Sequence, residues 1–297
     1  MVLDSLVENI EAKDSIIYIF ADGPANDSSE ENLELIKRTR EVINNETRLP
    51  NIKILERKHN IGLANSIING VTEVCDLYGS VIVLEDDILL TPYCLKYFND
   101  ALLFYKNSPK LGAICAYTYP FEFEGDLPET YFLNYNSCWG WATWKRSWEN
   151  FEYDSLKLFE KIKLQKLTSK FDYDDSCYHM KMLKDHIAGR NNSWAIRWAA
   201  TLFLNDQLSL FPSKTLVENI GFDGSGIHSG NSLPYSINKA SNFLTEFSEE
   251  VSEIYEIRSS AVRFFKKIKR INNINRFKRI LTLSPYQLLF KILKQIR

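Results

Sequence analysis

The stretch SVIVLEDDILL, residues 80–90, decides how the chain is read. Ser80–Leu84 is a continuous apolar run that predicts a strand buried on both faces. It ends in three successive carboxylates, Glu85, Asp86 and Asp87. Three neighbouring acids repel one another and cannot be buried without partners. A divalent cation resolves the conflict. Carboxylate oxygens suit Mg²⁺ or Mn²⁺, and such sites combine one or two protein carboxylates with substrate phosphates. A metal on a diphosphate neutralises the charge that develops as the diphosphate departs. A solvated turn is the competing reading of the same residues.

Outward from this turn, the pattern alternates. Residues 3–12 read as a short helix with Leu3, Leu6, Val7 and Ile10 on one face. SIIYIFA, residues 15–21, reads as a second buried strand running into Asp22-Gly23-Pro24. Ser28 or Ser29 caps a helix over 30–44. A strand is expected at 52–56, helices at 62–77 and 92–105, and a strand at 112–117. Strands alternating with helices predict an α/β fold, an open and mostly parallel sheet flanked by helices. Ligands in such sheets bind beyond the carboxyl ends of the strands, where both acidic clusters fall. Beyond residue 120 the reading is a dense aromatic stretch at 131–148, a mostly helical region at 157–188, a helix at 194–205, a strand at 208–211 and a glycine-rich loop at 221–230. No repeats and no low-complexity segments are present.

The 297 residues, 45% hydrophobic and 25% charged, suit one large domain with an appendage. The 18 Phe, 15 Tyr and 6 Trp serve cores and sugar-stacking surfaces equally well, so their number alone decides nothing. Five cysteines without CxxC spacing suggest neither a disulfide framework nor a zinc site, and point to a reducing compartment. No signal peptide and no membrane-spanning run is legible. The net charge of −2 conceals an asymmetry: residues 258–297 hold 12 Lys and Arg and no acid, leaving 24 basic against 38 acidic residues elsewhere. That is not the footprint of a nucleic-acid enzyme. The tail places apolar residues at helical spacing, with a break at Ser284-Pro285, and reads as a basic amphipathic element for an anionic membrane surface. A helix packed on the domain is the alternative. The expected division is 1–250 for the catalytic domain and 251–297 for the tail.

Three segments carry a family resemblance. IVLEDD (82–87) resembles the acidic motif of GT-A glycosyltransferases, YIFADGP (18–24) their second-strand motif, and HNIGLANSIINGV (59–71) the segment between them in family 2 enzymes. Together they cover residues 16–92 in the expected order. The resemblance implies an inverting nucleotide-diphospho-sugar transferase using Mn²⁺ or Mg²⁺ and a sugar nucleotide, UDP-sugar favoured, with a glycan or lipid-linked acceptor. It implies that Asp22 contacts the nucleobase, Asn60 and Gly62 line the nucleotide, Asp86 sits near the ribose and Asp87 ligates the metal. Leu63-Ala64-Asn65 departs from the Ala-Arg-Asn of many relatives, and Arg57, Lys58 or His59 would have to replace the basic group lost near the phosphates.

The second half extends the likeness. LVENIGFDGSGIHSG (216–230) resembles the C-terminal segment of a bacterial group in this superfamily and the end of the N-acetylglucosaminyltransferase I catalytic domain. That implies His228 as a second metal ligand, with glycines closing over a diphosphate. CWGWATWKRSW (138–148) resembles a segment lining the sugar and acceptor cleft, which marks Trp139, Trp141 and Trp144, although core packing accounts for some of these indoles. For the general base the candidate is Asp185, with Glu149, Asp174 and Asp175 behind it; an acid expected before SWAIRW is replaced by Asn191-Asn192. Arg197 reads equally as an anion-binding residue or as half of a structural ion pair.

Relatives open with a strand and a nucleotide-cradling loop ahead of the first helix, roughly 10–15 residues, whereas Met1 here stands at that helix. The expectation is that the strands ending in Asp22 and Glu85 flank an unfilled central place, and that the gene start lies upstream or the product is a fragment. A nucleotidyltransferase and a non-catalytic glycan-binding or scaffold relative are the competing functions.

Overall fold

The structure, a computed structural model, describes residues 1–221 and 239–281, of which 275–281 are described as backbone only. In chain order the elements are α1 (Val2–Val7), β1 (Ile17–Ala21), α2 (Glu30–Asn44), β2 (Ile52–Glu56), α3 (Leu63–Tyr78), β3 (Ser80–Val83), β4 (Ile88–Leu90), α4 (Cys94–Phe104), β5 (Leu111–Cys115), β6 (Thr130–Leu133), β7 (Trp141–Trp144), α5 (Lys145–Trp148), α6 (Ser155–Leu164), α7 (Thr168–Phe171), α8 (His179–Ile187), α9 (Trp194–Leu204), β8 (Leu208–Pro212), β9 (Val217–Asn219) and α10 (Tyr255–Leu281). The α/β class is as expected.

Several boundaries follow local chemistry. Ser29 starts α2 by accepting a hydrogen bond from the Asn32 amide, and Gly79 ends α3 in the left-handed conformation. Helix α1 stops earlier than its apolar spacing predicts. Just beyond it, the Asn9 side chain accepts from the Leu95 amide at 3.0 Å, serving the start of α4 instead. The region 157–188 is three helices rather than one run. The connection before α8 holds Tyr173, Asp174 and Asp175, all at positive φ, which no continuous helix can contain.

The five-stranded sheet has the order β3-β7-β5-β8-β6. Its residues alternate between two cores, as the two-residue period of a strand requires. Ile82, Ile114 and Ala142 face a cluster built with α4, while Val83, Ala113 and Trp141 face a cluster built with α3 and α9. The expected mostly parallel sheet is corrected to a mixed one. Pairs β1–β2 and β5–β8 are parallel, but β3–β7, β5–β7, β6–β8 and β4–β9 are antiparallel. The reason lies in the connections. Residues 116–129 and 134–140 form no helix, so β6 and β7 lack the helical crossover that usually links parallel strands.

The sheet is interrupted where the missing strand was expected. Among the described residues β1 pairs only with β2, and β3 only with β7. Both strands nevertheless pack on α3: this helix runs along β3, and a Cβ on its Gly70 would meet the Phe20 ring of β1 at 2.9 Å. Within β1, Ile17, Ile19 and Ala21 direct their backbone groups toward β2, anchored by Ile17 N–H to Asn51 O (3.0 Å) and Arg57 N–H to Ala21 O (2.9 Å). The alternation leaves Tyr18 and Phe20 on the other edge. In β3, Val81 and Val83 face β7, leaving Ser80 and Ile82 on the open edge.

The basic tail is corrected in its first half. Ile257, Ala261, Val262 and Phe265 of α10 are buried in a cluster with Tyr131, Tyr173 and Phe211. Arg258 pairs with Asp174 at 2.9 Å and Glu253 at 3.1 Å, and Lys269 donates to the Asp175 and Cys177 carbonyls. Side chains of α10 therefore tie down the left-handed turn at 173–175. The remainder of the tail, 282–297, lies outside the described residues.

The open edges make an alternating prediction for amide hydrogen exchange. Tyr18, Phe20, Ser80 and Ile82 should exchange at least about tenfold faster than Ile19 and Val81. Equal protection of neighbouring residues would mean that both edges are paired in solution.

Candidate functional site

The connection from β3 to β4 carries Glu85, Asp86 and Asp87. Burial pushes the Glu85 carboxyl up to about 7, with further repulsion from Asp87 and Asp86. Asp87 is also raised, by burial and then by Asp86, while the Asn219 side chain opposes the shift. Asp86 is exposed. The Asp87 Oδ1 atom is buried without a hydrogen-bond partner, the condition that costs most for a carboxylate.

A distant segment closes on this turn. Strand β9 pairs antiparallel with β4, setting Asn219 opposite Ile88. The Ile220 amide donates to the Asp87 carbonyl at 2.9 Å, and the Gly221 amide to Asn219 Oδ1 at 2.8 Å. A Cβ on Gly221 would stand 2.5 Å from Asp87 Oδ2, so only glycine permits this approach without displacement. The acidic turn and the start of the glycine-rich loop thus meet. His228 lies outside the described residues, which end at Gly221 before that loop.

Asp22 has a definite structural task. Its carboxylate accepts backbone hydrogen bonds from Gly23 (2.9 Å), Ile61 (3.1 Å) and Gly62 (3.0 Å). These fix the loop before α3, and they give the positive end of that helix an anion from within the chain. A Cβ on Gly23 would meet the His59 backbone at 2.5 Å, and the Asn60 amide donates to the Pro24 carbonyl at 3.0 Å. Gly62 is glycine for its φ of +79° at the helix start. Helix α3 then runs back to the beginning of β3, so the Asp22 loop and the acidic turn belong to the same end of this β-α-β unit. Arg57 follows β2 there. Its guanidinium lies 5.9 Å from the Phe20 ring centre, its Nε is buried without a partner, and no carboxylate pairs with it among the described residues. Lys58 and His59 are exposed.

The aromatic segment divides. Trp141 is fully buried, stacked on Trp194 at 5.2 Å, and Trp144 is buried with its indole N–H on the Leu102 carbonyl and Arg146 over its ring. Both are core residues, and their expected place in a sugar cleft is corrected. The cause is their strand: β7 is an interior strand, sandwiched by helices on both faces. Trp139 precedes β7, is half-buried, and meets Tyr117 edge to face at 4.5 Å.

The expected general base, Asp185, is ion-paired. It sits on α8 bound to Lys181 and to Arg190. Partial burial raises its pKa, but the two cations outweigh that and hold it below the usual carboxylate value. A general base works best near the operating pH, so this doubly paired carboxylate is not assigned that role. For Arg197 the structure removes one alternative: the side chain is only 7% exposed, and no acid pairs with it among the described residues. Sequence reading missed Asn219 and Gly221 as neighbours of Asp87, because their only link to it is a pairing across about 130 residues. It also missed His186, whose short-range context gives no signal.

Among the described residues, no three His, Cys, Asp or Glu side chains gather to hold a metal unaided. Asp87 is the one carboxylate among the described residues that offers a buried, unsatisfied oxygen for one. Without a cation the raised Glu85 pKa has a sign. The folded state holds this proton more tightly than the unfolded state, so folding is favoured at low pH. That contribution is lost as pH rises from the ordinary 4.5 through about 7. Metal-free protein should therefore lose about 1–3 kcal/mol of unfolding free energy across that window, and Glu85→Gln should flatten this part of the profile. A denaturation series in chelator checks it; an unchanged slope in Glu85→Gln would place the titration elsewhere. No protein-family model matches this sequence, and no curated protein is significantly similar to it.

Proposed function

We propose that the chain binds a nucleotide-diphosphate sugar at the carboxyl edge of its strands and transfers the sugar to a glycan or lipid-linked acceptor, as a GT-A glycosyltransferase. The observation that carries this reading is the buried, unpartnered Asp87 Oδ1 beside the incoming Gly221 backbone. An acidic oxygen left unsatisfied at the mouth of a glycine-rich loop suits a cation shared with phosphate oxygens.

In this reading Asp87 holds Mn²⁺ or Mg²⁺, with His228 from the following loop and the diphosphate completing the shell. When bound, the metal neutralises the charge of the departing diphosphate. The chain's own residues do the positioning. Asp22 holds the 60–62 loop rigid where the base and ribose of the nucleotide lie, with Asn60, Gly62 and the exposed Asp86 at the rim. Arg57, which has no carboxylate partner among the described residues, replaces in this reading the basic residue absent at 63–65 and faces phosphate. Trp139, half-buried ahead of β7, is the indole this reading sets beside a sugar ring. The basic residues of 258–297 other than Arg258 and Lys269, which are bound to the domain, favour an acceptor presented at an anionic membrane surface; no helix among the described residues is long and apolar enough to cross a membrane.

A second reading, binding without turnover, is favoured by the interrupted sheet under the nucleotide site and by the paired state of Asp185. Calorimetric titration of UDP, GDP and dTDP with and without Mn²⁺ tests both. The first reading predicts Mn²⁺-dependent binding of UDP, weakened at least about tenfold in Asp87→Ala, with slow release of sugar from the matching donor. Binding without sugar release supports the second. Binding that ignores both metal and Asp87 contradicts the proposed site.

A further inference from the structure

A second group of polar side chains lies where the 150–155 loop, α8 and α9 meet. Arg197, in the second turn of α9, is buried among aromatic residues. Its Nε donates to the Ser193 carbonyl at 3.3 Å and its Nη1 to the Tyr153 carbonyl at 3.5 Å, while the guanidinium lies 5.7 Å from the Phe151 ring centre. Nη2 makes no hydrogen bond among the described residues. The two acids flanking Tyr153 are engaged elsewhere. Asp154 caps α6 through the Leu156 and Lys157 amides, and Glu152 takes the Asp154 amide with Lys157 nearby. A buried guanidinium without a counter-charge is costly, and two backbone carbonyls repay little of that cost.

His186 of α8 is its neighbour. Nδ1 meets the Ser155 hydroxyl at 3.0 Å, while Nε2 is buried without a partner. Burial lowers the imidazole pKa, Arg197 lowers it further, and the Asn192 side chain works the other way. On α8, Asp185 is held by Lys181 and by Arg190 just past the helix, while Lys184 is exposed to solvent. When the Ser155 hydroxyl donates to Nδ1, the proton of the neutral ring lies on Nε2 and lacks an acceptor. In that tautomer a cation and an unsatisfied donor stand together, with no acid paired to either among the described residues.

We infer that Arg197 and His186 form a binding site for an oxyanion, a phosphate or a carboxylate group, held between α8 and the start of α9. Arg197 supplies the charge and a free fork nitrogen, which suits both kinds of oxygen pair. His186 supplies Nε2–H. The location ties the site to the working edge of the sheet. Trp194 at the start of α9 stacks on Trp141, and Trp141 pairs with Val83 two residues before Glu85. If the transferase reading holds, the oxyanion belongs to the acceptor, which then carries a phosphate or an acidic sugar; that extension alone rests on the transferase reading.

The test needs neither nucleotide nor Mn²⁺, so its failure is separate from failure of the nucleotide site. Imidazole ¹⁵N resonances are followed by NMR against pH in inorganic phosphate, in acetate and in chloride of equal ionic strength. His186→Gln assigns the signal. Phosphate, acetate or both should raise the His186 pKa by about one unit relative to chloride, and the responding anion distinguishes a phosphate site from a carboxylate site. The response should vanish in Arg197→Gln. Arg197→Lys, which keeps the buried charge and loses the fork, should weaken anion binding about tenfold with the fold retained. A His186 titration identical in all three salts, or one shifted equally in wild type and Arg197→Lys, would overturn the proposal.

Discussion

Everything at the working edge depends on a conflict between burial and charge. Strand β3 is sandwiched by apolar cores on both faces, and the chain leaves it through three consecutive carboxylates. Hydrophobic packing of Ile82 and Val83 fixes where those carboxylates begin, so Glu85 cannot withdraw to solvent as Asp86 does. Pairing of β4 with β9 then brings the Asn219–Gly221 backbone against Asp87. The local network supplies amide donors to the Asp87 carbonyl and to Asn219, yet none reaches Asp87 Oδ1. A residue placed this firmly and satisfied this poorly is better explained by a ligand than by the fold.

The rest of the architecture serves to hold that edge. Asp22 is spent on three backbone amides, which makes the 59–62 loop a rigid wall. Trp141 and Trp198 are sealed at the centre of the layer joining α3, β7 and α9, with Trp194 and Trp148 around them. Helix α10 adds its apolar face to the far side of the sheet, and Arg258 clamps the left-handed turn before α8. The interruption between β1 and β3 falls between the two strands whose ends carry the acidic residues.

The first hundred residues were largely legible in the sequence. There the elements are long or fully apolar, their periods are clear, and β2 and α2 match their expected bounds. Legibility failed where structure depends on distant partners. Strands β4, β6, β7 and β9 have three or four residues each, too few to show a period. The aromatic run at 131–148 looked like a surface because its density is unusual, but most of its indoles are core. Asp87 could be singled out from its neighbours in sequence, whereas its closure by Gly221 could not. Arg197 was ambiguous for a physical reason: an ion pair and an anion site require the same residue, and what separates them is whether an acid pairs with it, which none does among the described residues.

The most direct test of the central claim uses Mn²⁺ as its own reporter. With a nucleoside diphosphate present, its paramagnetism broadens the resonances of nearby nuclei. The account predicts that substoichiometric Mn²⁺ broadens the amides of Asp87, Ile88, Ile220 and Gly221 first, while those around Asp185 stay sharp. Broadening centred on any other group of residues, or none at all with nucleotide bound, would contradict it.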